Sequence, residues 1–82
     1  MIELSTNSQL TAARIRAARK SRGVTHSALS KRTGIPKGSI VSYERGTMKP
    51  SEERLAAIAA ALDTSVGYLK GRVKFLFGEK AK

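Results

Sequence analysis

The chain has 82 residues, with 16 Lys and Arg against 6 Asp and Glu, and no cysteine. This length allows one small domain with a modest core, and the lack of cysteine excludes both a disulfide framework and a thiolate metal site. The net charge of +10 favours a polyanionic partner, of which nucleic acid is the commonest. No segment has the pattern of a signal peptide or a membrane span, so we expect a cytoplasmic protein.

The positive charge is concentrated in one part of the chain. Ten cations and a single acid, Glu44, lie between Leu4 and Ser51. The alternative explanation is a solvated surface that keeps a small protein soluble, but mixed charge would serve solubility equally well. The excess therefore points to a binding face.

The first helix is predicted from Ser8 to Ser21, after a flexible polar N-terminal arm at residues 1–7. Its inner face is predicted from residues at helical spacing: Leu10, Thr11, Ile15, Ala18 and Arg22.

Arg19 lies at the edge of this face, and Glu44 is the only acid between Leu4 and Ser51. A buried carboxylate needs a charged partner, and a guanidinium can offer it two parallel N–H groups. We therefore predict a partly buried Arg19–Glu44 ion pair that holds the first helix against the helix that contains Glu44. The role of this pair is structural rather than catalytic.

Residues 25–46 have the pattern of two short helices joined by a tight turn, a helix-turn-helix. Thr25 is predicted to cap the first of them, which runs to Thr33. It ends at Gly34, because glycine tolerates the left-handed backbone that ends a helix. Pro36 opens the other helix, since its fixed φ angle suits a helix start.

This third helix, Lys37 to Arg45, has two contrasting faces. Ile40, Tyr43 and Glu44 share the inner face at i, i+3 and i+4 spacing. The outer face has two cations, small residues and a hydroxyl, but no carboxylate: Lys37, Gly38, Val41, Ser42 and Arg45. Such a face can lie against an anionic polymer without repelling it.

A fourth helix is predicted to begin at Ser51, with acids in its first turn, where the helix dipole favours them. Its core stripe is predicted from four residues: Leu55, Ile58, Ala59 and Leu62. A short fifth helix from Ser65 to Lys70 would carry Val66 and Leu69 inward.

The tail, residues 72–82, alternates in the period of a strand, with Val73, Phe75 and Phe77 on one side. A lone strand leaves its backbone groups unpaired. We expect it to pair with the same strand of a second subunit, or its two phenylalanines to pack into a groove on the fifth helix. A frayed tail that completes the monomer core is an equal alternative. An interfacial membrane anchor is disfavoured, because the apolar run is short.

The run from Arg14 to Gly71 resembles the Cro/repressor helix-turn-helix family of phage repressors and bacterial regulators. The matching residues are Arg14-Ile15-Arg16, Arg19, Leu29, Gly34, Ile40, Tyr43-Glu44-Arg45-Gly46, Pro50-Ser51, Leu55, Leu62, Ser65 and Tyr68-Leu69. The resemblance implies an all-α, five-helix, lambda-repressor-like domain over residues 8–71. The tail, residues 72–82, lies beyond the resemblance as a C-terminal extension, for which the strand period leaves open both a dimerisation element and a frayed tail.

Carried over by position, the resemblance also implies that the third helix enters the major groove of DNA. The base-reading positions would be Lys37, Gly38, Val41 and Ser42. The phosphate contacts would come from His26, Ser39, Arg45 and Lys49. His26 stands where the family usually has glutamine, and Gly38 has no side chain to read a base, so DNA shape could contribute more.

The sequence therefore predicts a sequence-specific DNA-binding transcriptional regulator, a repressor that binds a pseudo-palindromic operator as a homodimer. No cofactor or metal is expected. No enzyme is expected either, because the sequence shows no carboxylate pair, Ser-His-Asp set or phosphate-cradling glycine loop. One alternative is the antitoxin of a toxin–antitoxin pair, which would bind its toxin through the tail. Another is a protein-binding adaptor that uses the fold without DNA.

Overall fold

The computed structural model describes residues 4–72, with side chains from Gln9 onward. This part of the chain is helical, without a strand. Its five helices are α1 (Leu4–Ser21), α2 (His26–Thr33), α3 (Lys37–Arg45), α4 (Glu52–Ala61) and α5 (Val66–Leu69). The predicted five-helix, all-α class is confirmed. The predicted tail strand, with Val73, Phe75 and Phe77, lies outside the described residues.

Helix α1 begins four residues earlier than predicted, at Leu4 instead of Ser8. Residues 4–7, expected in the flexible arm over residues 1–7, are therefore helical. Four successive polar residues at positions 5–8 could each cap a helix, so the sequence does not single out Ser8 as the start. None of them is a proline or glycine that would stop the helix from extending.

The other helix ends follow the predicted local chemistry. The Thr25 hydroxyl accepts a hydrogen bond from the Ala28 N–H at 3.0 Å, and the Ser51 hydroxyl accepts one from the Arg54 N–H at 3.1 Å. Gly34 ends α2 with φ of 79°, and its N–H donates to the Ser30 carbonyl. These contacts define both ends of α2 and the start of α4.

The core receives at least one fully buried side chain from each helix or its cap: Ile15, Leu29, Ile40, Ile58, Leu62 and Leu69. The predicted stripe of α4 is buried at all four positions, so it is confirmed. Helix α3 packs against both α1 and α2, while α4 packs against α2 and α5. This packing holds α3 by its inner face and leaves its outer face open.

The inner face of α1 is rotated by about one residue from the predicted one. Its buried residues are Ala12, Ile15, Ala18 and Arg19. Leu10 is 37% exposed, and Arg22 is exposed, with its Nε donating to the Leu62 carbonyl at 3.2 Å. The small alanines let α1 approach its neighbours closely, so the orientation of this helix depends on partners that are distant in sequence.

Helix α5 also differs from the prediction, since Tyr68 is buried beside Leu69 while Val66 is only half-buried. Arg14 contributes to the burial of Tyr68. Its Nη1 donates to the Tyr68 carbonyl at 2.8 Å, and its guanidinium lies 4.5 Å from the centre of the Tyr68 ring. This cation–π contact ties α5 to α1.

Substitutions at Gly34 and Gly38 test the backbone conformation. Neither residue has a neighbouring heavy atom within 4 Å of the position that a Cβ would take, so an alanine would meet no steric clash at either position. Gly34 has φ of +79°, so Gly34→Ala should lower the free energy of unfolding by about 1–2 kcal/mol. Gly38 lies within α3, so Gly38→Ala should raise it by up to about 1 kcal/mol. Urea denaturation measures both values, and a shift of the same sign in the two variants would contradict the assignment.

Candidate nucleic-acid interface

The outer face of α3 lies on the solvent side of the domain. Lys37, Gly38 and Arg45 are exposed, while Val41 and Ser42 are half-buried. Pro36 provides no side-chain hydrogen bond to the opening turn of α3. The first N–H groups of a helix point outward along its axis and can bind an anion when no cap occupies them.

The predicted Arg19–Glu44 ion pair is present, and it is more deeply buried than expected. Arg19 Nε lies 2.6 Å from Glu44 Oε2, and Arg19 Nη2 lies 3.0 Å from Glu44 Oε1. The two residues are 9% and 7% exposed. The third guanidinium nitrogen donates to the Val24 carbonyl at 2.9 Å. The pair therefore connects α1 to α3 and also fixes the turn that follows α1.

His26, at the start of α2, contacts the same carboxylate. Its Nε2 lies 3.1 Å from Glu44 Oε1, and its side chain is 31% exposed. An ionised carboxylate only accepts hydrogen bonds, so Nε2 must carry the proton of this bond. The other ring nitrogen then donates only when the imidazole is protonated. His26 thus joins α2 to α3, and its predicted phosphate contact requires the imidazolium form.

Burial alone would raise the pKa of Glu44. Hydrogen bonds from Arg19 and His26, together with the positive charge of Arg19, instead hold the pKa below its ordinary value of 4.5. The carboxylate is therefore ionised at neutral pH and is neutralised inside the domain. It adds little negative potential to the outer face of α3.

A groove runs between α1 and α3, with Glu44 and Arg19 at its base. We call it the α1–α3 groove, and its lining residues are Arg16, Arg19, Lys20, His26, Val41, Glu44 and Arg45. Two of the residues predicted to contact DNA from α3, Val41 and Arg45, therefore lie beside cations from α1. Arg16 and Lys20 contribute to the net charge, but the sequence pattern did not predict them as site residues. Their i, i+4 spacing, next to Arg19, is the signal that could have done so.

The remaining predicted site residues lie elsewhere. Ser39 is half-buried on α3. Lys49 is exposed and lines a separate cavity of about 310 Å³ beside Tyr43, Pro50 and Leu55. The structure thus does not bring Lys49 into the α1–α3 groove. The predicted partner contacts, Val73, Phe75 and Phe77, lie outside the described residues.

Residues 4–72 contain neither a membrane-spanning helix nor a group of metal-binding side chains. No helix in this range is long and apolar enough to cross a membrane. No three His, Asp or Glu side chains of these residues are grouped so that they could hold a metal ion.

The packing of α2 and α3 around a tight turn, with α3 open on one side, defines a helix-turn-helix domain. The chain belongs to the Cro/C1-type helix-turn-helix family, which matches residues 15–69. This range begins within α1 and ends at the last residue of α5, so it includes Arg19, His26 and Glu44, through which three helices are joined.

The chain is similar to repressors and transcriptional regulators. It is 40% identical over 63 residues to repressor protein C2 of Salmonella phage P22, a match that covers 77% of this chain and 29% of that protein. It is 36% identical over 58 residues to the uncharacterized HTH-type transcriptional regulator YobD of Bacillus subtilis, covering 71% of this chain and 52% of YobD. The chain therefore spans about half or less of these relatives.

A solved structure of the P22 protein has the same fold. The P22 c2 repressor in complex with a synthetic operator matches with a TM-score of 0.74 and 37% identity. The match covers 79% of this chain and 98% of that chain.

Glu44→Ala should lower the free energy of unfolding by about 3–5 kcal/mol, because it leaves the buried guanidinium of Arg19 without its charge partner. Arg45→Ala is the matched control, since the exposed neighbour should change stability by less than about 0.5 kcal/mol. Urea denaturation compares the two variants. A change near zero for Glu44→Ala would mean that the pair is not buried in solution.

The lowered pKa of Glu44 predicts acid sensitivity. Its contribution to stability is complete above 4.5, the ordinary pKa that the unfolded chain retains, and is lost as pH falls from there through the depressed folded pKa. Over that range the unfolded state binds more protons than the folded state. Glu44→Gln should therefore flatten the decline of the unfolding free energy with falling pH. Parallel pH profiles for the wild type and this variant would contradict the assignment.

Proposed function

We propose that the chain is the DNA-binding part of a transcriptional repressor, which reads double-stranded DNA with the outer face of α3. The observation that carries the proposal is the separation of charge on α3. Its cations Lys37 and Arg45 are exposed, whereas its acid, Glu44, is buried and ion-paired. The P22 relative, which is bound to an operator in its structure, supports the same role.

The outer face of α3 suits the major groove, whose width admits a helix. Lys37 can donate to guanine O6 and N7, Ser42 can donate or accept, and Val41 can touch a thymine methyl group. Gly38 has no neighbouring atom within 4 Å of the position of a Cβ, so the backbone can approach a base edge closely there. Phosphate contacts from Ser39, Arg45 and Lys49 would position the helix without reading sequence.

We further propose that two copies bind a pseudo-palindromic operator in the cytoplasm and repress by occupying promoter DNA. A two-fold axis would place the two α3 helices about one DNA turn, or roughly 34 Å, apart. Val73, Phe75 and Phe77 would supply the contact between the copies, since small domains often gain stability by associating.

A protein-binding adaptor is the second candidate, and the cavity beside α3 favours it. Met48 is 42% exposed at this cavity, next to Tyr43, Pro50 and Leu55. The same cavity is also lined by charged residues, among them Lys49, Glu52 and Lys70. An opening with both apolar and charged walls can accept a side chain of another protein, such as the toxin partner of an antitoxin. Replacing Lys37 and Ser42 would leave such binding intact while removing DNA binding, so these substitutions separate the two functions.

The proposal is tested by selecting duplexes from random DNA and sedimenting the protein with and without the selected site over a series of salt concentrations. A dimer that enriches a two-fold symmetric site, with affinity that falls steeply as salt rises, would support the regulator. A protein that enriches no duplex at low salt would overturn it and favour the adaptor.

Lys37→Ala and Arg45→Ala should have different effects on DNA binding. Lys37→Ala should relax the preference at one base pair, at a cost of about 1–3 kcal/mol for the preferred base. Arg45→Ala should weaken all duplexes to a similar extent, because a phosphate contact carries no sequence information. Affinities for the selected site and for its single-base variants measure both effects, and identical profiles would contradict the assigned roles.

A further inference from the structure

We propose that the α1–α3 groove binds a phosphate of the DNA backbone through Arg16 and Lys20 of α1. This inference rests on the proposed DNA-binding function and extends the interface from the helix-turn-helix to the preceding helix. The two residues are absent from the contacts that the sequence predicted.

One wall of the groove comes from α1 and the other from α3, and each helix contributes two residues that are one helical turn apart. Arg16 and Lys20 are four residues apart on α1, and Val41 and Arg45 are four residues apart on α3. The buried ion pair of Arg19 and Glu44 connects the two helices beneath them. Because this pair fixes α1 against α3, the cations of α1 are held at a set position beside the outer face of α3.

The charges in the groove favour an anion. Arg16, Lys20 and Arg45 are exposed. The groove's carboxylate, on Glu44, is only 5% exposed at its side chain, and its oxygens accept hydrogen bonds from Arg19 and His26. A phosphate that enters the groove would therefore meet three cations and no accessible carboxylate.

Arg16 and Lys20 differ from the neighbouring arginines at positions 14 and 22, whose side chains bind other parts of the domain. Arg14 hydrogen-bonds to Tyr68 in α5, and Arg22 reaches the end of α4. In contrast, no hydrogen bond or ion pair joins the side chain of Arg16 or Lys20 to another described residue. Their donors are available to an external ligand.

The position of the groove points to a DNA phosphate as that ligand. Val41 and Arg45 belong both to the groove and to the outer face of α3, which the proposed function places in the major groove. The phosphate backbone borders the major groove along its length. An α3 helix in that groove would therefore bring α1 over an adjacent strand. The Nε2 of His26 is hydrogen-bonded to Glu44, so this nitrogen is not available to the phosphate.

The salt dependence of binding to the selected duplex tests the inference. Arg16→Ala and Lys20→Ala should each reduce the slope of log affinity against log salt by about 0.9, and the double variant by about twice that. The sequence preference should not change. Arg16→Lys should keep the wild-type slope, because the charge is retained.

Arg32→Ala is the matched control. Arg32 is exposed, but its Nη1 lies beside the Ala61 carbonyl at the end of α4, and it does not line the groove. The substitution removes the same charge and should leave the slope unchanged. Thermal unfolding of all variants should give similar midpoints, since every substituted side chain is exposed.

The outcomes separate this inference from the proposed function. Wild-type protein that binds a selected site, together with unchanged slopes in both α1 variants, would overturn the inference and leave the function standing. A wild type that binds no duplex would overturn the function and the inference with it.

A titration with inorganic phosphate at constant ionic strength is the second experiment, and it tests whether the groove binds a free anion instead of the DNA backbone. Binding in the groove with unchanged DNA slopes would make it a free-anion site and would overturn the backbone assignment.

Discussion

The bidentate ion pair between Arg19 and Glu44 is the interaction on which the rest of the structure depends. Burying two charges is expensive, and the cost is offset here because both carboxylate oxygens accept hydrogen bonds and the guanidinium also reaches a backbone carbonyl. With His26 on the same carboxylate, one acidic side chain of α3 holds both α1 and α2. The interaction fixes the relative placement of three helices and removes negative charge from the exposed side of α3.

The cations that give the chain its net charge of +10 have two different physical roles. Arg14, Arg19 and Arg22 brace α1 against other helices, and Arg54 donates to the Tyr43 hydroxyl at 2.8 Å. These guanidiniums satisfy polar groups inside a small domain whose apolar core is limited. Other cations, on α1 and on the outer face of α3, are exposed. The binding face is therefore smaller than the total charge suggests, because only the exposed cations can contact an external anion.

Local chemistry made much of this fold predictable from sequence. Thr25, Gly34 and Ser51 mark helix ends through their own side chains or backbone freedom, and the i, i+3, i+4 pattern of α4 identifies its buried stripe. The Arg19–Glu44 pair was predictable because the surrounding sequence offers a single acid. The orientation of α1 was not, since its alanines give a weak hydrophobic period and its packing is set by residues far along the chain. The α1–α3 groove was missed for the same reason.

The central claim is that α3, together with the helices fixed to it by Glu44, forms one face for DNA. Titration of ¹⁵N-labelled protein with the selected duplex, followed by amide chemical shifts, tests it most directly. The account predicts that the largest shift changes fall on residues 37–45 and on the exposed turns of α1 around Arg16 and Lys20. Changes concentrated around Met48 and α5, with α3 unaffected, would contradict it.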